Sequence, residues 1–392
     1  MSPVEHLLEE IESDLGALRE RDLLRRLTTI EEIRGAEVRI GAKWLVCWCT
    51  NDYLGLAAHP SVIRAAQAAA ARWGVGARAS RLLAGTTAIH RDLEAQLAQW
   101  FGAEAALVYP SGYLANLGVL SALLGPQDTV VVDRLSHASL IDACRLSRAR
   151  LRVFQHNDPD HLAHVLLRSG GGGRRIVVTE GLFSMDGDAA PLARLRDAAE
   201  THEALLYVDD AHGAFVLGRR GRGSPEQAKV AHASVIYMAT LGKALGAQGG
   251  FVIGSKRFID WLRNRSRTFI YATALATPVV AAAVAALGVL ARQPLLRRRL
   301  AENAARLHRG LTKAGLLRSA VGTHICPVIL GSSARAMAVS QRLQALGHFA
   351  PAIRPPTVPE GTARLRLSVS ASHTVHQVDG LIEALRKACR DA

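Results

Sequence analysis

RIVVTEGLFSMDGDAAPLARLRDAAETHEALLYVDDAHG, Arg175 to Gly213, carries a short apolar run near each end, and both runs finish on acidic residues. The first, RIVVTEG (175–181), and the second, ALLYVDD (204–210), lack the polar alternation of a half-exposed strand. That pattern belongs to strands covered on both faces. The residues between them are enough for a crossover helix, so the stretch reads as strand, helix, strand. The rhythm spreads both ways from here. ALVYP (106–110), TVVVD (129–133) and LRVFQ (151–155) precede it, and SVIYMAT (234–240) follows. Helical runs such as IHRDLEAQLAQWF (89–101) lie between such strands. The class is α/β, with a mainly parallel sheet covered by helices on both faces.

Away from this centre the pattern changes. The first forty residues read as helix, with Leu7, Leu8, Ile11, Leu15 and Leu18 spaced by three and four. Residues 36–49 read as a hairpin turning near Gly41. Beyond about Arg292, arginine-rich helices and strands near CPVIL and ARLRLSVS suggest a smaller α+β domain. The expected division is 1–55 as an N-terminal arm, 56–291 as the large domain and 292–392 as the small one. A chain of 392 residues exceeds the size of one hydrophobic core, which agrees with more than one domain.

Lys and Arg total 48 against 34 Asp and Glu, a net charge of +14 that favours an anionic ligand or partner. The arginines are scattered and aromatic residues few, so nucleic acid fits less well than a phosphorylated small molecule or an acidic carrier protein. Ala272 to Ala291 runs without a charge for the length of a membrane span. It is mostly alanine with Pro278 near its start, so it reads as a buried helix linking two domains. Five cysteines form no CxxC pair. Cys47 and Cys49, in WLVCWCT, read as a buried pair with no metal. Reduced thiols and an acidic amphipathic N-terminus suggest the cytoplasm.

Polar residues collect just past the strand ends: Ser111-Gly112-Tyr113, Asp133 to His137, Glu180 to Ser184, Asp209 and His212, Thr240 to Lys243. In open α/β sheets that rim is where ligands bind. Lys243 is the only charged side chain between Val230 and Ser255, set among glycines and small residues. Poor solvation disfavours an ammonium, and a neutral amine forms Schiff bases with aldehydes. Pyridoxal phosphate is the common biological aldehyde for this. Asp209 suits its pyridine nitrogen, Gly112 and Tyr113 its phosphate at a helix start, with Thr240 adding a hydroxyl, and His137 the ring face.

These residues lie in motifs that resemble the α-oxoamine synthases, pyridoxal-phosphate enzymes with the aspartate-aminotransferase (type I) fold. The resemblance runs from about residue 20 to the C-terminus. It is carried by NDYLGL (51–56), SGYLANLG (111–118), DRLSHASL (133–140), HND (156–158), VTEGLFSMDGDAAPL (178–192), VDDAHG (208–213), GRGS (221–224), TLGKALG (240–246) and AIRPPTVPEGTARLRLS (352–368). By that resemblance Lys243, His137 and Asp209 are catalytic: Lys243 bonds the cofactor, Asp209 pairs with its ring nitrogen, and His137 stacks on the ring and meets substrate. Ser184 and His212 would contact the phenolic oxygen side. Gly112, Tyr113 and Thr240 would hold the phosphate, joined by Thr273 from the second subunit of a homodimer. Arg366 would clamp the amino-acid carboxylate, Asn51 would lie near the amino acid, and Arg25 and Thr357 near the acyl group. DRLSHASL and RPPTVPEGTARLRL match the members that condense L-alanine with a pimeloyl thioester, carried by coenzyme A or acyl carrier protein, on the route to biotin. RPPTVP argues against a member using glycine or serine. One departure stands at 74–81, where GVGARASR replaces the usual GxGAGGSR, so that Arg78 and Ala79 occupy glycine positions.

Overall fold

The structure is a computed structural model that describes residues 2–390 apart from Gly171, Arg318, Ala320 and Val321. Its strands, numbered along the chain, begin with β1 Glu32–Arg34, β2 Glu37–Ile40, β3 Lys43–Cys47, β4 Ala105–Tyr109, β5 Thr129–Asp133, β6 Arg150–Phe154 and β7 Arg175–Glu180. They continue with β8 Leu205–Asp209, β9 Ile236–Thr240, β10 Gly250–Gly254, β11 Ile325–Gly331, β12 His348–Phe349, β13 Ala352–Ile353 and β14 Ala363–Ser368. The chain divides into a large unit, Asn51–Ser184 with Asp188–Arg298, and a small unit, Met1–Thr50 with Met185–Gly187 and Arg299–Ala392.

The large unit is built on a seven-stranded sheet in the order β4-β10-β9-β8-β7-β5-β6. Successive pairs from β6 to β9 are parallel. β10 lies antiparallel between β9 and β4, so β4 runs the same way as the parallel set. The middle positions of the central strands are apolar because each face has its own helical cover. Val130, Val132, Ile176, Val178, Tyr207 and Met238 pack with Val119, Leu120 and Leu140 on one face. Val131, Val177, Leu206 and Val208 pack with Leu162, Phe183 and Leu195 on the other. Each fully buried aliphatic side chain contributes about 1.5–3 kcal/mol, which ties strand register to helix placement. The six co-directional strands end on one rim, at Tyr109, Asp133, Phe154, Glu180, Asp209 and Thr240.

Two sequence expectations change here. β10 was not expected: its three central apolar residues, FVI, sit between glycines in a stretch that reads as loop. The charge-poor segment at 272–291 forms the helix Thr277–Arg292, with Pro278 in its first turn as expected. It packs on the helices Pro60–Trp73 and Ala88–Phe101, so it belongs inside the large unit and is not a link. The next helix is Leu295–Lys313. No single helix among the described residues is long and apolar enough to cross a membrane.

In the small unit the first helix covers only Pro3–Glu20, shorter than the forty residues expected. Asp22 follows with φ of 54°, and β1 to β3 then form an antiparallel meander. The first fifty residues group with the C-terminal segment, not as a separate arm, because β12 adds to the edge of β3, pairing His348 with Val46. A second sheet, β11-β14-β13, completes this unit.

Candidate active site

Lys243 lies in the turn joining β9 to β10, and that turn is closed by its own backbone. Leu241 N donates to Gly249 O at 2.9 Å, Ala247 N to Leu241 O at 3.0 Å, and Gly246 N to Lys243 O at 2.9 Å. Gly246 and Gly249 have φ of 63° and 124°, the left-handed region where glycine alone is unstrained. At Gly246 a Cβ would also meet Ala57 N at 2.2 Å. Glycines around the lysine are therefore a geometric requirement of the turn.

The Lys243 amine is 2.7 Å from His212 Nε2, and His212 Nδ1 is 2.6 Å from the Tyr53 hydroxyl. Tyr53 in turn donates to Asn51 Oδ1 at 3.1 Å. Tyr53 thereby joins His212 to Asn51, and the imidazole faces the amine through Nε2. Asn51, Tyr53 and His212 thus form a hydrogen-bonded chain that ends on the amine.

Asp209 ends β8, and its carboxylate is braced on both oxygens. Ala211 N donates to Oδ1 at 3.0 Å and Asn116 Nδ2 to Oδ2 at 2.8 Å. Asn116 gives its other amide hydrogen to Ser139 Oγ at 2.8 Å and accepts from the Tyr207 hydroxyl at 2.7 Å. Ser139 Oγ stands 2.8 Å from His137 Nδ1, which also accepts from Ser139 N at 3.2 Å. His137 therefore carries its hydrogen on Nε2. Burial, reinforced by Lys243 and opposed by Asp209, holds its pKa below the ordinary imidazole value. Asp209 and His137 are two ends of one network whose centre is Asn116.

Glu180, at the end of β7, is buried and accepts from His137 N at 2.8 Å. Burial and the neighbouring Asp209 charge push its pKa up to about 8, against the pull of Lys243 and of the His137 and Ser184 amides. At neutral pH it is mostly a neutral acid. Ser184 is held in this loop. Asp210, adjacent to Asp209, plays a different part: it accepts from Ser224 N, Ser224 Oγ and the Tyr237 hydroxyl at 2.8, 2.5 and 2.9 Å. A Cβ on Gly223 would come within 1.9 Å of Asp210 Oδ2. GRGS is thus a clasp for the strand end that presents Asp209.

The helix Gly112–Leu123 opens on the rim, with Ser111 Oγ capping Leu114 N at 3.1 Å. The first amides of the helix, those of Gly112 and Tyr113, have no partner within the helix and suit an anion. Thr240 lies beside Gly112, 3.6 Å from where a Cβ on that glycine would sit. Its hydroxyl gives its hydrogen to Gly249 O at 2.7 Å and accepts from Gly242 N at 3.1 Å. Tyr113 meets the His137 ring edge-on at 6.4 Å between centroids, and its hydroxyl bonds Asp142. Thr273 pairs by backbone with Ser80. In the loop at 74–81 Arg78 has φ of 64°, a backbone conformation that glycine adopts freely and that costs an arginine on the order of 1 kcal/mol.

The large unit brings together Lys243, His212, Asn51, Asp209, His137, Glu180 and Ser184 around one rim, with the Gly112–Thr240 pair on it. Tyr53, Asn116, Ser139 and Tyr207 were not singled out from sequence, and Glu180 was named only as one of the polar residues at the rim. Each lies in or beside a motif, but their work emerges only from the pairing of elements. Three other candidates belong to the small unit. Arg25 Nη2 bonds Thr357 Oγ1 at 3.4 Å, which joins two residues 332 positions apart. Arg366, on β14, is buried and donates to Ser368 Oγ at 2.9 Å. Its neighbour Arg364 is committed elsewhere, to Asp186 Oδ1 at 2.6 Å and Met185 O at 3.2 Å. Among the described residues no cluster of His, Cys, Asp and Glu could hold a metal ion.

An amine on a braced turn, a buried carboxylate with two donors and an anion seat at a helix start suit an aldehyde-bearing phosphorylated pyridine. Comparison with known proteins agrees. The sequence profile of aminotransferase class I and II matches residues 44–385. In structure the chain is similar to serine palmitoyltransferase from S. paucimobilis, solved with PLP bound as its myriocin adduct. The TM-score is 0.93 at 30% identity, covering 100% of this chain and 99% of that one. The chain belongs to the aminotransferase class I and II family, and pyridoxal phosphate is its cofactor. Within that family its relatives are named 8-amino-7-oxononanoate synthase. That of Anaeromyxobacter dehalogenans (strain 2CP-1 / ATCC BAA-258) is 48% identical over 384 residues, 98% of this chain and 96% of the relative. The solved structure of that name from Francisella tularensis gives a TM-score of 0.76 at 27% identity, covering 88% of this chain and 98% of that one.

Proposed function

We propose that this enzyme condenses L-alanine with a pimeloyl thioester, with loss of carbon dioxide, to give 8-amino-7-oxononanoate for biotin synthesis. The observation that carries the reading is the Lys243 amine, held on a closed turn at the strand-end rim 2.7 Å from His212 Nε2. Bound pyridoxal phosphate supplies an aldehyde to engage amines and a ring that takes up the electron pair left when the α-proton departs. The protein's residues supply the rest. Asp209, braced by Asn116 and Ala211, holds the proton on the ring nitrogen. Lys243 removes the α-proton of alanine, with His212 Nε2 orienting its lone pair. His137 covers the ring face and offers its Nε2 hydrogen to the substrate oxygen. Ser184 and His212 face the phenolic oxygen.

The Gly112 and Tyr113 amides, with Thr240, seat the phosphate. Arg366 clamps the alanine carboxylate, for which a planar fork of donors is suited, and Asn51 lies beside the amino acid. Arg25 and Thr357 meet the acyl donor, brought by coenzyme A or acyl carrier protein. The working state is a cytoplasmic homodimer. Val75, Leu83 and Tyr271, 81%, 80% and 71% exposed, lie near the Ser80–Thr273 bridge and call for a covering surface. A second copy supplies it, and Thr273 then reaches the phosphate of the neighbouring site.

The test is a panel of alanine, glycine and serine against pimeloyl thioesters on both carriers, with the product identified by mass. The expected outcome is the alanine product, with release of carbon dioxide. Condensation of glycine or serine in preference to alanine would overturn the assignment.

A further inference from the structure

Two thiols in the small unit have no part in the reaction above. β3 ends at Cys47 and the chain bends at Trp48 and Cys49, which turns the two cysteines toward each other. Their sulfurs stand 3.6 Å apart. Trp48 between them is pinned. Its indole stacks on His373 with centroids 3.9 Å apart, and its Nε1 donates to His348 Nδ1 at 3.1 Å. Its backbone N donates to Phe349 O at 2.8 Å and its carbonyl accepts from Ser368 N at 2.6 Å. His373 Nε2 donates to Cys47 O at 3.0 Å. The pair is therefore held in contact by its surroundings and not by chance rotamers.

The two sulfurs also differ. A hydrogen bond from the Cys49 thiol brings the pKa of Cys47 down to about 7, against its burial. Cys49 is pushed up by the same contact and by burial, and only the Arg366 charge among its larger influences favours ionisation. Cys144 and Cys326, buried without such a neighbour, are pushed up to about 12. Near neutral pH the pair thus holds a nucleophilic thiolate touching a thiol, the arrangement in which oxidation is site-selective.

We propose that Cys47 and Cys49 form a redox-active dithiol that a hydroperoxide converts to an intramolecular disulfide, and that the state of this pair sets how Arg366 presents its guanidinium. The Cys47 thiolate attacks one peroxide oxygen, the O–O bond breaks and hydroxide leaves, which gives a sulfenic acid. Cys49 sulfur then attacks Cys47 sulfur, the S–O bond breaks and a second hydroxide leaves. One hydroxide takes the proton that Cys47 shed on ionising and the other takes that of Cys49. Two thiols are oxidised and the peroxide is reduced to two waters. Ser368 joins the cysteine turn to Arg366, because its backbone N donates to Trp48 O at 2.6 Å and its Oγ accepts from Arg366 Nη1 at 2.9 Å, so closing the disulfide across Trp48 shifts the support of that guanidinium. This second half rests on the reading of Arg366 as the carboxylate clamp.

The experiment treats the holoenzyme with hydrogen peroxide at neutral pH, alkylates remaining thiols and reads the peptides by mass. The peptide carrying both cysteines should escape alkylation, weigh about 2 Da less than its dithiol form and recover on reduction. Cys144 and Cys326 should stay alkylatable. Alanine titrated against the cofactor absorbance should bind several-fold more weakly in the oxidised protein, and the C47S/C49S double variant should show no such change. If both cysteines remain alkylatable after treatment, the dithiol is refuted. A disulfide that leaves the alanine isotherm unmoved refutes the link to Arg366. If Arg366→Ala leaves the reduced protein's alanine affinity unchanged, the clamp reading itself fails, independently of the thiol chemistry.

Discussion

Asn116→Asp replaces one amide nitrogen by oxygen at the centre of the rim network and changes little in volume. The wild-type amide gives one hydrogen to Ser139 Oγ and one to Asp209 Oδ2, both at 2.8 Å. The variant sets a second carboxylate directly against Asp209 in a buried site. Two unit charges about 4 Å apart repel by about 4 kcal/mol at an effective dielectric of about 20. That equals about three decades in proton affinity. The pair therefore takes up a proton at neutral pH, and Asp209 no longer presents a full charge to the ring nitrogen. Asn116→Ala removes the donor without adding charge, an effect of about 1.5–3 kcal/mol for a hydrogen bond to an ionised group. Condensation rate and cofactor affinity by equilibrium dialysis should both fall in the order wild type, Ala, Asp. The Asp variant should lose at least about a hundredfold in rate. Thermal melting without cofactor separates a folding defect from a site defect. An Asp variant that matches the wild type, or outperforms Ala, would refute the role given to Asn116.

Arg366→Ala should weaken alanine binding by about 2–5 kcal/mol, the range for truncating one partner of a buried charge pair. KM for the thioester should move far less, and Lys should rescue only in part; steady-state kinetics in both substrates decides it. Arg81→Ala breaks the buried bidentate pair with Glu94, at 2.9 and 3.0 Å, and should lower unfolding stability by about 3–5 kcal/mol in denaturant titration. His156 is opposed by burial, but hydrogen bonds to Asp133 and Asp188 push its pKa up to about 10. Its folded value lies above its unfolded one, so its stabilisation is complete below about pH 6.5 and is lost as pH rises toward 10. The melting-temperature gap between wild type and His156→Gln should be widest near pH 6 and close by about pH 10.

The parallel strands were legible because burial on both faces leaves an unbroken apolar run, and the rim was legible because each run ends on a polar residue. β10 escaped for the opposite reason. It is a short insert whose glycines serve close approach, as at Gly250, where a Cβ would meet Ser111 O at 2.6 Å. Lys243 was visible through the absence of other charges. Asp209 and Asp210 stand side by side in VDD, and only their partners separate them: Asn116 from one element, Ser224 and Tyr237 from two others. Asn116 and Ser139 look like ordinary polar residues in two helices until those helices pack. The N-terminal helix continued too far in the sequence reading because heptad-like spacing says nothing of where a chain turns out into a strand. That choice was made by β3 and its distant partner β12.

The turn around Lys243 has a bearing on time as well as on shape. Its backbone is closed on itself from Leu241 to Gly249, so moving the amine from carbon to carbon needs no loop opening. Only the torsions of one side chain change. Such rotations take picoseconds to nanoseconds, against microseconds or longer for a hinged loop. In the proposed cycle the group that acts twice, as anchor and then as base, is therefore the fastest-moving part of its own support. Whatever sets the turnover rate lies in substrate arrival, bond formation or product departure, and not in the repositioning of Lys243.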